Sequence, residues 1–223
     1  MTLFLDLDDT LVASSKAYDA GMKSLGIDPS DENFLTARSQ VKSILPPSCV
    51  QSHNRFLYFK KYLENLNLYT SKRLLDMMNS YEKGMLDSIE ENWHSLKRDA
   101  LFKELRQRFN KIVLITNETT RTQVLKVNRL DPKGIHFDYM LTSEEAGVEK
   151  PDLKIFHLAQ KIFNTEPQQC CMVGDSFKND ILPAISLNFN TVILTREFLK
   201  TSEMNGDKKF QEVDSLNQIL NFF

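Results

Sequence analysis

The pattern of apolar and polar residues after residue 98 alternates between two periods. Short apolar runs typical of buried strands are followed by stretches in which apolar residues recur at helical spacing. The runs predict strands at Lys111–Thr116, Phe137–Thr142, Gln169–Gly174 and Thr191–Leu194. The other stretches predict helices at Leu101–Phe109, Thr120–Leu130, Leu153–Phe163, Asn179–Leu187 and Ser215–Phe222. Pro151 is expected in the first turn of the Leu153–Phe163 helix. This regular alternation indicates an α/β fold with a doubly wound parallel sheet.

Residues 14–98 keep helical spacing throughout, and no convincing strand interrupts them. Four helices are predicted there, at Ser15–Leu25, Asp31–Leu45, Asn54–Leu66 and Ser71–His94. The Pro46-Pro47 pair separates the second helix from the third. Near the end of the chain, the polar stretch Lys200–Lys209 predicts a loop. The sheet of the core is therefore expected to carry an inserted all-α segment after its first strand.

The first ten residues combine an apolar run with a group of carboxylates. Met1 to Leu5 predicts a buried strand, and Asp6, Asp8 and Asp9 follow it directly. Carboxylates at the end of a buried strand are costly unless something neutralises them. Because hard cations such as Mg2+ prefer oxygen ligands, the sequence predicts part of a metal site here.

Polar residues also follow two of the later apolar runs. Thr116 and Asn117 come after one, Asp175 and then Asp180 come after another, and Lys150 precedes a predicted helix. In open α/β sheets, ligands bind outside the carboxyl ends of the strands. We therefore expect these residues to converge with the first carboxylates on one crevice.

Composition narrows the classes of function. The chain has 223 residues, 41% hydrophobic and 26% charged, which is ample for one core with a smaller appended domain. A formal net charge of -2 argues against nucleic-acid binding, which needs a basic surface. The adjacent Cys170 and Cys171 are expected to be small buried hydrophobes in a reducing compartment. Without a secretory signal or a run as long as a membrane span, we expect a soluble cytoplasmic protein that does not bind membranes.

In their order and spacing, the polar groups resemble the signatures of the haloacid dehalogenase superfamily of hydrolases. The matching segments are Asp6-Leu-Asp8-Asp9-Thr10, Thr116-Asn117, Lys150-Pro151-Asp152, and Gly174-Asp175-Ser176 with Asp180. The resemblance implies a Rossmann-like catalytic core at residues 1–13 and 98–223. It also implies that residues 14–97 form an all-α cap domain of the family's helical type 1. One departure is Asp9, where many members of the family have glycine.

The resemblance implies a mechanism for the first motif. Asp6 is the expected nucleophile, which forms an aspartyl phosphate. Asp8 is the expected general acid and then base, and in a strand its side chain would point the same way as that of Asp6. The dehalogenases that give the family its name lack an aspartate at this position. Asp8 therefore favours phosphate esters over carbon–halogen bonds.

The resemblance also implies a cofactor and a phosphate site. Mg2+ is expected to be held by Asp6, the backbone carbonyl of Asp8 and Asp175. Lys150 would neutralise phosphate oxygens and hold Asp6 in place. Thr116 would donate a hydroxyl hydrogen bond to the phosphoryl group.

Three assignments stay open at this point. Asn117 either binds phosphate or is a turn residue. Asp180 either lies in the surroundings of the metal or caps the helix that follows it. His53, Asn54 and Arg55 open a helix of the insertion, and they either bind an anionic group of the substrate or form an ordinary exposed helix start.

We therefore expect a Mg2+-dependent phosphomonoester hydrolase that acts on a small soluble metabolite, such as a nucleotide or a sugar phosphate. A phosphomutase on the same fold is one alternative. A binding or regulatory protein that keeps the fold without catalysis is another, although a site that has lost its catalytic function has no reason to keep Asp8. The sequence leaves the oligomeric state open.

Overall fold

The computed structural model describes residues 1–46, 49–198 and 209–223. Within these ranges, parallel strands form one sheet in the order β3-β2-β1-β4-β5-β6. The strands are β1 Thr2–Leu5, β2 Lys111–Thr116, β3 Tyr139–Thr142, β4 Cys170–Gly174, β5 Thr191–Thr195 and β6 Gln211–Val213. The predicted α/β class with a doubly wound parallel sheet is confirmed. Pro47 and the predicted loop at Lys200–Lys209, apart from Lys209, lie outside the described residues.

Apolar side chains cover both faces of this sheet. In β1, Leu3 and Leu5 pack into one apolar cluster, and Phe4 packs into a second. The adjacent Cys170 and Cys171 are free, buried thiols that belong to the two different clusters. Their expected role as small buried hydrophobes is confirmed. Burial on both faces explains why the strands of a parallel sheet read as continuous apolar runs.

Five helices follow the insertion in the described residues. They are α5 Arg98–Arg108, α6 Thr120–Leu130, α7 Ser143–Ala146, α8 Leu153–Phe163 and α9 Leu182–Ser186. A π-helical turn at Phe177–Ile181 precedes α9, and the predicted final helix is a 3-10 helix at Leu216–Phe222. The prediction for Pro151 was wrong, because the side chain of Asp152 caps α8 and the proline precedes this cap. Neither α7 nor β6 was predicted.

Residues 14–95 form the helical insertion, whose helices are α1 Ser14–Ser24, α2 Glu32–Ile44, α3 Arg55–Asn65 and α4 Ser71–Ser95, with a 3-10 turn at Val50–His53. The long α4 buries one stripe of side chains at helical spacing, namely Leu74, Met78, Tyr81, Met85, Ile89 and Trp93. Among the described residues, no helix has the length and apolar character needed to cross a membrane.

Candidate active site

A cavity of about 250 Å3 opens at the carboxyl ends of β1, β2 and β4. The parallel strands end at one edge of the sheet, so the residues that follow them meet there. The cavity brings together Asp6, Asp8, Thr116, Asn117, Lys150, Asp175 and Asp180, all of which the sequence singled out. Ser176 and Asn179 complete its lining.

Three carboxylates and one ammonium group form the centre of this cavity. Carboxylate oxygens of Asp6, Asp175 and Asp180 lie within 4.8 Å of one another. The buried Nζ of Lys150 lies 2.8 Å from Asp6 Oδ1 and 2.6 Å from Asp180 Oδ1. Thr10 donates a hydrogen bond of 3.1 Å to Asp175. One positive charge therefore faces three acidic groups.

The excess of acidic groups over basic ones, together with burial, shifts the pKa values of these residues. Burial raises the pKa of Asp6 well above its ordinary value; Lys150 lowers it, while Asp180 and Asp175 raise it. Burial and the charge of Asp180 raise the pKa of Asp175 to about 6. Burial alone would lower the pKa of Lys150, but Asp180 and Asp6 raise it, so its ammonium stays protonated. A divalent cation among the carboxylates would offset the excess negative charge, and their oxygen donors suit a hard ion.

Asp180 is bound on both carboxylate oxygens. Its Oδ1 accepts the bond from Lys150, and its Oδ2 accepts one of 3.1 Å from the backbone amide of Ser176. The helical turn that contains Asp180 is capped by Ser176. Asp180 is therefore one of the three clustered carboxylates and is not the residue that caps this turn. Its expected role in the surroundings of the metal stays a prediction.

Asp8 lies beyond the end of β1 at Leu5, where it forms an isolated β-bridge with Val12. It is therefore not part of the strand, although its side chain lines the same cavity as that of Asp6, as expected. Its carboxylate instead contacts α6, where Lys126 binds Oδ1 and Gln123 Nε2 lies 2.6 Å from Oδ2. Burial alone would raise the pKa of Asp8, but the charge and hydrogen bonds of these partners lower it to about 2. The hydroxyl of Tyr18, from the insertion, lies 3.3 Å from Oδ1.

Both polar atoms of the Asn117 side chain bond to the backbone of Lys150. Its Oδ1 accepts a bond of 2.7 Å from the amide of Lys150, and its Nδ2 donates one of 2.8 Å to the carbonyl. This paired contact fixes the segment that carries the ammonium group. Through this contact Asn117 helps to place Lys150, and a direct bond from Asn117 to phosphate stays a prediction.

The residues singled out in the insertion lie outside this cavity. Asn54 caps α3 by accepting a bond of 2.9 Å from the amide of Phe56. His53 Nε2 lies 3.1 Å from Glu149, and Arg55 pairs with Glu118 at 2.9 Å. Each of the two ionisable side chains thus meets an acidic residue outside the insertion.

The sequence did not predict that Gln123, Lys126 and Tyr18 contact residues of the site. Gln123 and Lys126 lie one helical turn apart on a fully buried face of α6, although both are polar. The sequence signal for these residues is their spacing. Two polar residues three positions apart lie on one face of the helix that directly follows Thr116. Tyr18 connects the two groups, because the guanidinium of Arg55 lies 3.8 Å from the centre of its ring.

Comparison with known proteins identifies the family of this chain. Residues 1–188 match the model of the haloacid dehalogenase-like hydrolases. The chain belongs to this family, and the resemblance drawn from its motifs is confirmed.

Several individual proteins are similar to this chain over most of its length. The chain is 31% identical over 208 residues to a ribulose-1,5-bisphosphate 5-phosphatase of Halopiger xanaduensis, covering 86% of this chain and 83% of the relative. It is 27% identical over 226 residues to a glyceraldehyde 3-phosphate phosphatase of Methanocaldococcus jannaschii, covering 98% and 94%. Among solved structures, a 2-haloacid dehalogenase from Pseudomonas syringae pv. tomato matches 99% of this chain and 97% of its own, with a TM-score of 0.72 and 21% identity. This last similarity concerns the fold.

Proposed function

We propose that the protein is a Mg2+-dependent phosphomonoester hydrolase that acts on a small phosphorylated metabolite through an aspartyl phosphate on Asp6. The observation that carries this proposal is the cluster of Asp6, Asp175 and Asp180 with the buried ammonium of Lys150 against it. The chain is a phosphatase of the haloacid dehalogenase-like family, as its family match and its relatives named as phosphatases support.

Asp6 and Asp8 divide the chemistry between them. In the first step a carboxylate oxygen of Asp6 bonds to phosphorus, the ester bond breaks, and Asp8 gives its proton to the leaving alkoxide. In the second step Asp8 takes a proton from the water that cleaves the intermediate. A dianionic phosphate beside Asp8 would raise its pKa by repulsion, which favours the protonated form for the first step. The ionised form of Asp8 then suits the second step.

The remaining polar groups of the cavity stabilise charge. Lys150 holds Asp6 and meets phosphate oxygens, and the hydroxyl of Thr116 donates to the phosphoryl group. Asp6, the Asp8 carbonyl and Asp175 would hold Mg2+, with Asp180 beside them. Bound there, the ion would reduce the repulsion between the nucleophile and the anionic phosphate.

Residues 14–97 are proposed as a cap over a catalytic core of residues 1–13 and 98–223. A second cavity, of about 270 Å3, lies within the insertion and is lined in part by Tyr18, Arg38, His53, Arg55 and Tyr81. Tyr18 also contacts Asp8, so this cavity lies next to the proposed acid. We place the leaving group of the substrate here, where aromatic faces and basic groups suit a hydroxylated, anionic metabolite such as a sugar phosphate.

The decisive experiment compares Asp6→Asn with Asp9→Asn. Asp9 is the matched control, because its carboxylate accepts bonds of 2.6 and 3.1 Å from Ser15 outside the cavity. With sugar phosphates and nucleotides as substrates and Mg2+ present, Asp6→Asn should lower the release of inorganic phosphate by about 10^4-fold or more. Asp9→Asn should retain most of the activity.

Two further readouts complete this test. EDTA should abolish phosphate release and Mg2+ should restore it, whereas activity indifferent to chelation would contradict the proposed cofactor. The formation of an isomeric sugar phosphate instead of inorganic phosphate would identify a phosphomutase. Substantial activity in Asp6→Asn would overturn the covalent route.

A further inference from the structure

The carboxylate of Asp8 is held by two polar side chains that lie completely inside the protein. Lys126 bonds to Oδ1, and Gln123 Nε2 donates a bond of 2.6 Å to Oδ2. Both side chains come from consecutive turns of α6, and both are fully buried. Because each donor binds a different oxygen, together they fix the rotation of the carboxylate as well as its place.

Stability gives no reason for this arrangement. A buried ion pair is often no more stabilising than apolar side chains of the same volume. The Oε1 atom of Gln123 is buried and has no hydrogen-bond partner in the described part of the chain, although the amide nitrogen is used twice. An unpaired buried oxygen costs stability, so the residue is better explained by what its nitrogen holds.

The second bond of Gln123 goes to another group of the proposed site. Its Nε2 lies 2.6 Å from Thr116 Oγ1 and acts as the donor. When a hydroxyl accepts such a bond, its own hydrogen points elsewhere and is free to donate. The amide of Gln123 thereby sets the orientation of the Thr116 hydroxyl relative to the cavity.

Lys126 has its own link to the insertion. Its Nζ donates a bond of 2.8 Å to the hydroxyl of Tyr18, which itself lies 3.3 Å from Asp8 Oδ1. The ammonium, the phenol and the carboxylate form a closed triangle at the base of the insertion. The direction of the Asp8 carboxylate is thus fixed from both sides.

We infer that Gln123 and Lys126 are positioning residues, which aim the Asp8 carboxyl at the leaving oxygen and the Thr116 hydroxyl at the phosphoryl group. The inference rests on the proposed function. They act in the step in which the bond from Asp6 to phosphorus forms, the ester bond breaks, and the proton of Asp8 passes to the leaving oxygen. Neither residue touches the substrate.

Leaving groups of different basicity test this inference. A strongly basic alkoxide or phenoxide needs the proton of Asp8, whereas a dinitrophenolate leaves without it. The measured quantity is kcat/KM for a series from phenyl phosphate to 2,4-dinitrophenyl phosphate, because this ratio reports the first irreversible step. Lys126→Met should lose about 100-fold or more on phenyl phosphate and less than 10-fold on the dinitrophenyl ester.

Gln123→Met should combine two effects. It should show the same steeper dependence on the leaving group, together with a loss common to all esters, because the Thr116 hydroxyl also loses its orientation. If Lys126→Met does not fold by circular dichroism, Gln123→Met decides the question. The matched control is Lys133→Met, which removes an exposed lysine just beyond α6 and should leave the whole series unchanged.

Asp8→Asn separates the failure of this inference from the failure of the proposed function. If Asp8→Asn steepens the leaving-group dependence and the α6 variants do not, the positioning role is overturned and the phosphatase mechanism stands. If Asp8→Asn leaves the dependence unchanged, the acid role of Asp8 fails and the inference fails with it. Equal losses on all esters in Lys126→Met would also overturn the inference, since a general structural defect acts on every substrate alike.

Discussion

Gly174 lies so close to Asp180 that no side chain fits between them. A Cβ atom at position 174 would lie 2.4 Å from Asp180 Cγ, far inside van der Waals contact. Asp180 in turn binds Lys150 at 2.6 Å and the amide of Ser176 at 3.1 Å. The absence of a side chain at this one position therefore allows the carboxylate to reach the ammonium group of the site.

We expect Gly174→Ala to displace Asp180 and, through it, Lys150. Phosphate release should fall about 10-fold or more, because small displacements of charged groups are costly in catalysis. The free energy of unfolding should fall by about 1–3 kcal/mol, as for other overpacked sites. The measurements are steady-state kinetics and urea denaturation.

Gly134→Ala is the control for this prediction. Gly134 has a φ of +62° and no atom near its missing Cβ, so the added methyl group is strained without touching anything. This variant should lose about 1 kcal/mol of stability and keep its activity. If both variants lost activity equally, the role assigned to Gly174 would be wrong.

The convergence of individual residues on the site could be predicted where they belong to a sequence motif. Asp6, Lys150 and Asp175 each stand next to a predicted strand end or helix start, and the topology of a parallel sheet brings such positions together. Gln123 and Lys126 carry no such mark. Their roles depend on which face of α6 turns toward the sheet edge, and packing decides this.

Among the elements, α1 and α4 of the insertion pack through two glycines. A Cβ atom at Gly21 would lie 2.7 Å from the ring of Tyr81, and one at Gly84 would lie 2.8 Å from Ser24 Cβ. Both helices thus approach at positions where one of them has no side chain. This close contact fixes α1, which carries Tyr18, against the long helix of the insertion.

We expect Gly84→Leu to separate these two helices. The added side chain has no space against Ser24, so the free energy of unfolding should fall by about 1–3 kcal/mol despite the better helix propensity of leucine. Lys83→Leu, an exposed neighbour on the same helix, should change it by about 0.5 kcal/mol or less. Chemical denaturation of both variants measures the difference, and equal effects would contradict the packing argument.

Helices and strands could be predicted where the segment is long enough to show a repeating pattern. The helices α6 and α8, of eleven residues each, have the predicted bounds. In α8 the buried Ile155, Phe156 and Ala159 recur at helical spacing, which is the pattern that predicted it. The strand β6 has three residues, of which Val213 alone is buried, so no alternation could be detected. The short α7 has a capping box formed by Thr142 and Glu145, and this pair is the sequence signal for its start.

At the scale of the whole molecule, ion pairs connect the insertion to the sheet-bearing part. Arg121 of α6 pairs with Glu82 of α4 at 2.9 Å, and Arg129 of α6 pairs with Glu90 of α4 at 2.8 Å. These contacts could not be predicted, because they depend on how two separately patterned regions dock. The division into a core and a cap itself stays a prediction.

Acid stability of the whole fold offers a further test. Asp138 accepts bonds from Arg106 of α5, from Lys111 and from the amide of Ile112 at the start of β2. Burial alone would raise the pKa of Asp138, but these partners lower it below its ordinary value. A carboxyl with a lowered folded-state pKa stabilises the fold above its unfolded-state value of 3.8, and this contribution disappears as the pH falls through the folded value.

We therefore expect Asp138→Asn to be less stable than the wild type by about 1–2 kcal/mol at pH 7, where the charged bonds are complete. The difference should shrink below about pH 4 and vanish once Asp138 is protonated in both states. Denaturant titrations across this pH range measure it. A difference that stayed constant down to low pH would show that the charge of Asp138 is not the cause.

The position of β1 has a consequence for the newly made chain. Thr2 pairs with Lys111 on one side and with Cys170 on the other, so β1 is synthesised long before either of the strands that flank it. At about 5–20 residues per second, the ribosome needs roughly ten seconds or more to supply the second neighbour. Until then an apolar strand has an open edge, which is a known route to aggregation. The proposed nucleophile, Asp6, thus enters its final surroundings late in biogenesis, and chaperone protection of the nascent β1 would serve this protein more than one whose central strand is made last.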